Sequence, residues 1–437
     1  MQNLTSSAAL VNDWMCDHGA RFAVTHQGRR QFAQSPFDPL PRTVSAEEFT
    51  RLEQGLIQRI NALNLFLCDI YQDRMILRDG VIPEEFVYAS PDFRPECAGL
   101  LPPKGIYAHI TATDLIRTRG GKWYVMEDVI SVPDGITFPH LARRLLREKD
   151  PAAYQVPGLC DNCGLDILLR QLYRDVMDGD SRLEGGIVVF LTEGQDSLTD
   201  FEIRYMAELT GAVTATAQEL IVMDNKVYYR APGGGFQRVA VLHRMCLDAL
   251  LDPLCFEERS PCGIPHLMEV YAAGNLAIIN APGCSAADDR GLGCFVPTMI
   301  RYYLDENPIL PAVPFYLPWY EDQRAYILEH MDSLFFKDVS SQGRTAAIRG
   351  TDLTPQQRQD LAAEIQADPR RFIAQEILEA DTLPVAGSSQ EARVDLRAFT
   401  VHSDSIRVWM GGLTRFTVKE PDGSARVGFK DTWVMAE

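Results

Sequence analysis

The chain has 437 residues, enough for two or three domains with sizeable cores. Apolar residues make up 46% and charged residues 23%, ordinary values for a globular protein. The net charge of −18 argues against a general binder of nucleic acid or of an anionic membrane, while leaving room for a local basic pocket.

The first segment, MQNLTSSAALVNDWMCDHGARF, has no basic start and no sustained apolar core, so no signal peptide is expected. No stretch is long and apolar enough to cross a bilayer. Ten scattered cysteines fit free thiols in a reducing cytoplasm. Cys160 and Cys163 form one CxxC without the second pair that a zinc site usually needs, so they read as ordinary thiols.

Residues 1–44 contain SPFDPLPRT and read as an irregular arm. Ser45, with Glu48 three residues on, predicts a capped helix start. Leu52, Leu56, Ile60, Leu63, Leu67 and Ile70 continue it at helical spacing. A hairpin follows in DLIRTRGGKWYVMEDV. Gly120-Gly121 reads as a two-residue loop, which places Arg119 opposite Lys122, Thr118 opposite Trp123 and Asp114 opposite Glu127. Opposed residues share a face, and two carboxylates side by side repel unless a cation joins them. A hard divalent ion such as Mg²⁺ suits oxygen ligands; the plainer reading is a solvated hairpin.

A composition shift places a boundary near residue 150. LDILLRQLYRDVM predicts a helix, GGIVVFLTEG a buried strand, TDFEIRYMAELTG a helix closed by Gly211, and VTATA another strand. Such a unit presents ligand groups at the strand's carboxyl end, here Thr192, Glu193, Gly194 and Ser197. His243, beside Arg244, is a candidate base, though a lone histidine more often serves structure. Cys246 and Cys284 would be nucleophiles only with a base nearby.

After Pro311 the chain is richer in strands: LFFKDV, RFIAQEIL, VDLRAFTV, SIRVWMGG and KDTWVM, with TPQQRQDLAAEIQADP a helix among them. Lys337 ends one strand, before a small polar loop of Ser340, Ser341, Gln342 and Gly343. Gln375 and Glu376 stand at another strand end; Asp395, Arg397 and Arg415 follow. A lysine, a loop of backbone N–H groups and two arginines are what a nucleoside triphosphate requires.

That order resembles the ATP-grasp family, with one change: the acid-bearing hairpin stands at the front of the chain instead of its end. EQGLIQRINALNLFLCDIY, GNLAIINAPG, AADDRGLGCFVPTMIRYYLDENPIL, VDLRAF, GGLTR and KDTWV extend the likeness. They look like the bacterial circularly permuted ATP-grasp proteins related to glutathionylspermidine synthetase. The resemblance implies an α/β (α+β) permuted ATP-grasp fold with a Rossmann-like central domain. Its parts would be an arm (1–44), a helix plus metal hairpin (45–150), a central substrate domain (151–310) and a nucleotide lid (311–437).

It further implies an ATP-dependent ligase that joins a small or peptide-like carboxylate to an amine through an acylphosphate. Mg²⁺ would rest on Asp114 and Glu127, and Lys337, Ser341 and Gly343 would hold the phosphates. Gln375, Glu376 and Ile377 would line the adenine, Glu379 would meet the ribose, and Arg397, Arg415 and Arg244 would serve the reacting groups. The acceptor would enter from the 186–290 side, near Thr192, Arg244 and Asn280.

The chain also departs from the family pattern. Val129 stands where an oxygen ligand is expected on the Glu127 face, and Asp128 points the other way. SSQGRT carries one glycine where several are usual, with Arg344 a partial substitute. Met245 and Leu247 replace polar residues, and Arg290 replaces a lysine. These changes keep two alternatives open: a nucleotide- or partner-binding module with weakened turnover, and a simple kinase.

Overall fold

The structure is a computed structural model that describes residues 2–26, 29–33, 36–161, 164–194, 197, 199–339, 347–389, 391–419 and 425–436. The long helix expected after Ser45 spans Ala46–Tyr71. Ser45 accepts from the Glu48 N–H while the Glu48 carboxylate returns to the Ser45 N–H.

The N-terminal 44 residues are not an irregular arm. Gln2–Asp17 is a helix that buries Ala8, Val11 and Met15, and Phe37–Ser45 is an edge strand parallel to Ala425–Met435. Proline is tolerated at a sheet edge or a bulge, and Pro39 and Pro41 lie where the register shifts between Lys430 and Thr432.

Among the described residues the main sheet has eight strands, two of them short, Thr382–Pro384 and Ile406–Val408, paired to Glu391–His402 off the main path. Its path runs Phe37–Ser45, Ala425–Met435, Leu413–Lys419, Glu391–His402, Ile110–Arg117, Trp123–Val129. The front hairpin is thus stitched directly onto the C-terminal strands, as Arg397 faces Asp114 across the Glu391–His402 and Ile110–Arg117 pair. One face of this sheet (Leu115, Leu396, Ala398, Val434) packs on the Ala46–Tyr71 helix through Phe49, Leu52 and Leu56. On the other face, Ala112, Phe399 and Phe429 join Phe138 and Leu141 of the Thr137–Lys149 helix.

A second sheet of four short strands, Phe315–Tyr316, Phe372–Glu376, Leu334–Asp338 and Ile348–Arg349, is covered by the Glu321–Glu329 and Pro355–Ala367 helices. The segment 311–437 is therefore split. Its first half makes this lid sheet, and its second half completes the main sheet.

The third sheet confirms the α/β reading of the middle. Val213–Ala215, Ile187–Leu191, Phe236–Arg244 and Ala277–Ile279 run parallel, flanked by the Leu165–Met177 and Asp200–Thr210 helices. Gly211 closes the second helix with a left-handed φ of 72°. No helix among the described residues is long and apolar enough to cross a membrane.

Candidate active site

The site begins with the hairpin. Its loop has three residues, not two: Thr118 N–H donates to Lys122 O at 2.9 Å, and Gly121 carries φ 82°. That turn sets Arg117 opposite Trp123 and Leu115 opposite Val125. A bulge at Met126 then shifts the register, so Asp114 faces Glu127 after all. The bulge also turns the strand over. Trp123 and Val125 pack in the core under the long helix, whereas Glu127 meets Arg290 and Lys337 above the opposite face. A regular strand would have buried Glu127 beside Val125.

On this face, Glu127, Asp114 and Arg397 stand in one cross-strand row. Arg397 grips Asp114 with two donors, Nε at 2.7 Å and Nη2 at 2.9 Å, and its Nη1 reaches the Asp134 carboxylate. Arg415, opposite Asp395 in the next row, binds Asp114 at 2.9 Å and Asp395 at 2.6 Å. From the lid, Lys337 Nζ approaches Glu127 Oε2 at 3.3 Å, and Arg290 Nε donates to the same oxygen at 3.0 Å. Burial would push the Glu127 carboxyl up, but Lys337 and Arg290 hold it down at about 2. Asp114 is likewise held well below the carboxylate range, where Arg397 and Arg415 outweigh its burial. Burial raises Asp395.

Gln375 sits at the lid's strand end, and its Nε2 donates to the carbonyl of the bulged Met126 at 3.3 Å. Phe315, Met126 and Ile373 line the same narrow cleft with Lys337 and Glu127. Gln375 is paired on both sides, to Phe315 and Phe335, and the Glu376 N–H donates to Pro314 O. Their backbone is engaged by the sheet, and Ile377 lies just past the strand end. The Glu376 carboxylate accepts from the Tyr316 hydroxyl at 2.9 Å, and Glu379 is exposed, its carbonyl bonded to Arg119 N–H. The expected phosphate loop, with Ser341, Gly343 and Arg344, lies outside the described residues, as does Cys163.

Arg244 is not at this cleft surface. Its side chain is 0% exposed and spends its donors inside the central domain: Nε to Asn280 O at 2.9 Å, Nη1 to Cys246 O, Nη2 to Asp248. The substrate contact expected of it is replaced by a buried structural pair. Asn280 accepts from the His109 and Ile110 N–H groups at 2.8 and 3.0 Å, pinning the hairpin's first strand to the central sheet. His243 is buried, stacked on Phe190 at 4.4 Å and bonded to the Tyr173 hydroxyl; burial and Arg244 lower it to about 3, a poor base. The Cys246 and Cys284 thiols are buried with their pKa pushed up, which removes nucleophilic character. Thr192 donates to Asp200 at 2.8 Å at the helix start.

Asp128 leaves the site as alternation requires, taken by Arg59 at 2.7 Å and Thr113 at 3.0 Å. Val129 joins the apolar cluster of Ile110, Phe138 and Phe399. Asp134, which takes Arg397 Nη1, was missed from sequence, as were Glu202, which accepts from the Gly135 N–H beside it, and Asp288, which accepts from the Ile130 N–H. Asp134 lies only twenty residues past the paired Asp114, but nothing local marks it; Glu202 is one acid among several in an amphipathic helix.

A sequence profile described as circularly permuted ATP-grasp type 2 matches residues 41–417. The chain belongs to this family. An uncharacterised protein of Synechocystis is 38% identical over 408 residues, 92% of this chain and 84% of its own. A Frankia casuarinae protein provisionally named glutamate–cysteine ligase 2-2 is 32% identical over 407 residues; the match covers 91% of this chain but only 47% of that longer protein. Among solved structures, a glutathione synthetase-like effector from Globodera pallida in its apo form superposes with a TM-score of 0.61 at 12% identity, over 99% of this chain and 97% of that one. It shares the fold.

Proposed function

We propose that the protein is an ATP-dependent ligase that joins a carboxylate to an amine. One observation carries this: the row Glu127–Asp114–Arg397 on the main sheet, met from the lid by Lys337. Membership of the ATP-grasp family supports it.

The residues fit a divalent ion. Two ionised carboxylates face each other; among the described residues Glu127 Oε1 accepts no hydrogen bond, while both Asp114 oxygens are held by Arg397 and Arg415 and would have to be released to an ion. Asp114 and Glu127 would hold Mg²⁺, which when bound screens phosphate charge. Lys337 would hold the phosphates, and Ile377 with the apolar cleft walls would seat the adenine. Among the described residues the cleft holds only about 30 Å³, so a nucleotide would have to displace Lys337 from Glu127 to enter.

A substrate carboxylate oxygen then attacks the γ-phosphorus, the bond to the ADP oxygen breaks, and an acylphosphate forms. Arg397 and Arg415, already aimed at negative charge, stabilise the phosphoryl oxygens as they redistribute charge. The amine attacks the acyl carbon, the C–O bond breaks and phosphate leaves. The amine would enter from the 186–290 side.

A second reading, a nucleotide- or partner-binding module with weak turnover, is favoured by Val129, whose apolar packing removes an oxygen ligand from the metal face. Calorimetry with ATP and Mg²⁺, on wild type beside Glu127→Ala and Lys337→Ala, tests the site; equal affinity in all three would place the nucleotide elsewhere. Product analysis separates the chemistries: ADP, phosphate and an amide for the ligase, a phosphorylated substrate for a kinase, and binding without ADP release for the module.

A further inference from the structure

Two arginines that the reaction above does not use approach each other from the main sheet and the lid. On the main sheet, Arg393 precedes Asp395 and Arg397 on the Glu391–His402 strand, and alternation puts all three on the ion face. The intervening Ala392 and Val394 pack on the opposite face with Val385, Phe416 and Val418. On the lid, Arg349 is paired with Phe335, and opposed residues share a face. Phe335 and Lys337 alternate together, and Lys337 reaches Glu127, so this lid face looks onto the main sheet. Arg349 lies along it, its guanidinium 5.7 Å from the centre of the Phe335 ring.

The fold answers neither charge. Among the described residues Arg349 and Arg393 make no ion pair, and Arg349 Nε is buried without a hydrogen-bond partner. The two stand close enough that Arg349 adds to partial desolvation in lowering the Arg393 guanidinium, with Asp395 opposing. Asp395 is already held by Arg415 at 2.6 Å, and Asp381 by Arg117 at 2.9 Å. Glu391, on the Arg393 face, accepts from the Thr382 hydroxyl. In a chain with 60 acidic and 42 basic residues, two like charges set together without an acid of their own make a place for an external anion.

Position along the strand indicates which anion. Successive residues on one face are about 7 Å apart. Arg415 is opposite Asp395, one such step from Arg393. In the reading above, Arg415 serves the reacting carboxylate as it is phosphorylated. An anion between Arg393 and Arg349 would then sit one step from the reacting end, a gap that a short diacid such as glutarate spans.

We propose that Arg349 and Arg393 bind a second anionic group of the carboxylate substrate, which makes the substrate a dicarboxylic acid in place of a simple monocarboxylate. The inference rests on the ligase reading above. Arginine suits the role because its planar fork offers paired donors to a carboxylate. With one arginine on each sheet, the bound anion would also relieve their mutual repulsion.

The test is calorimetric titration of glutarate and of butyrate, in ADP and Mg²⁺, into wild type, Arg349→Gln and Arg393→Gln, with ADP and Mg²⁺ titrated alone into each. Wild type is expected to bind glutarate at least about tenfold more tightly than butyrate. Each variant should lose about ten- to hundredfold of the glutarate affinity, the scale of a hydrogen bond to a charged group, with butyrate and ADP binding unchanged. If Arg349→Gln fails to fold by circular dichroism, the variant at exposed Arg393 carries the test. Equal affinity for the two acids, no glutarate binding by wild type, or folded variants that bind glutarate like wild type overturn the inference; with ADP still bound, the ligase reading stands. A folded variant that loses ADP would assign these arginines to the nucleotide, and one that loses butyrate equally would assign them to the reacting carboxylate; either overturns the inference. Wild type that binds neither acid nor ADP overturns both.

Discussion

Arg244 and Arg397 carry the same side chain and, on the sequence, compete for the same work. The structure separates them by what surrounds each. Arg244 stands at the end of a central parallel strand, fully enclosed, its fork used by Asp248 and backbone carbonyls. Arg397 stands on the main sheet in the row of Glu127 and Asp114, 11% exposed, and among the described residues its fork is held by the carboxylates Asp114 and Asp134 and the Asp134 carbonyl. Carboxylate partners can be exchanged for phosphate when a ligand arrives. A buried carbonyl cage cannot be, because opening it leaves a charge without water or partner.

The contrast predicts opposite signatures. Arg244→Met should cost about 3–5 kcal/mol of folding stability, by urea denaturation, since it leaves the buried Asp248 charge without its cation. Arg397→Gln should slow ADP release about 10²–10³-fold, in the range for removing a donor to developing charge, while shifting the urea midpoint far less. If Arg244→Met instead left stability intact and abolished turnover, the separation drawn here would collapse.

A smaller effect lies behind Arg397. Asp134 is followed by Gly135, whose N–H donates to both oxygens of buried Glu202 at 2.9 Å; Thr137 adds a bond at 2.8 Å. Burial, and then the Asp134 charge, raise Glu202 to about 7 against the partial opposition of those bonds. A raised carboxyl contributes stability that is full below its unfolded pKa, near 4.3, and lost as pH climbs through 7. Stability should therefore fall between about pH 5 and 8, by at most about 3 kcal/mol from this group. Glu202→Gln should flatten that slope in denaturation curves taken across the range; an unchanged slope would assign it elsewhere, with Asp288, also raised by burial to about 7, the next to replace.

The smallest change concerns Val129. Val129→Asn places an amide in an apolar cluster and should cost about 1–2 kcal/mol, while lowering the Mg²⁺ concentration needed for nucleotide binding. A variant with an unchanged Mg²⁺ requirement would show that position 129 does not look into the ion site.

Much of this was legible in the residues. The capping box at Ser45, the Gly211 helix stop, the strand ends at Lys337 and Gln375 and the outward turn of Asp128 follow from local chemistry and alternation. The pairing of Asp114 with Glu127 was read correctly by an incorrect route. The loop is a residue longer than Gly120-Gly121 suggested, and a bulge at Met126 restores the pair. No local pattern marks that bulge, because it is fixed by the core claiming Trp123 and Val125 on one side and the ion row claiming Glu127 on the other.

The sequence by itself determined the family, the order of its elements and the residue types gathered at the cleft. Periodicity, caps and motif order are local or ordinal, so a chain carries them openly. The tertiary structure alone decided which cations reach which carboxylates: Arg397 and Arg415 on Asp114, Arg290 and Lys337 on Glu127, and Arg244 on Asp248 away from them all. Arg244 and Asp248 are four residues apart, but the partners of Asp114 and Glu127 lie 163 to 301 residues away and meet them only through the tertiary fold. Burial then fixes whether a charge is free to meet a ligand or is committed to the fold.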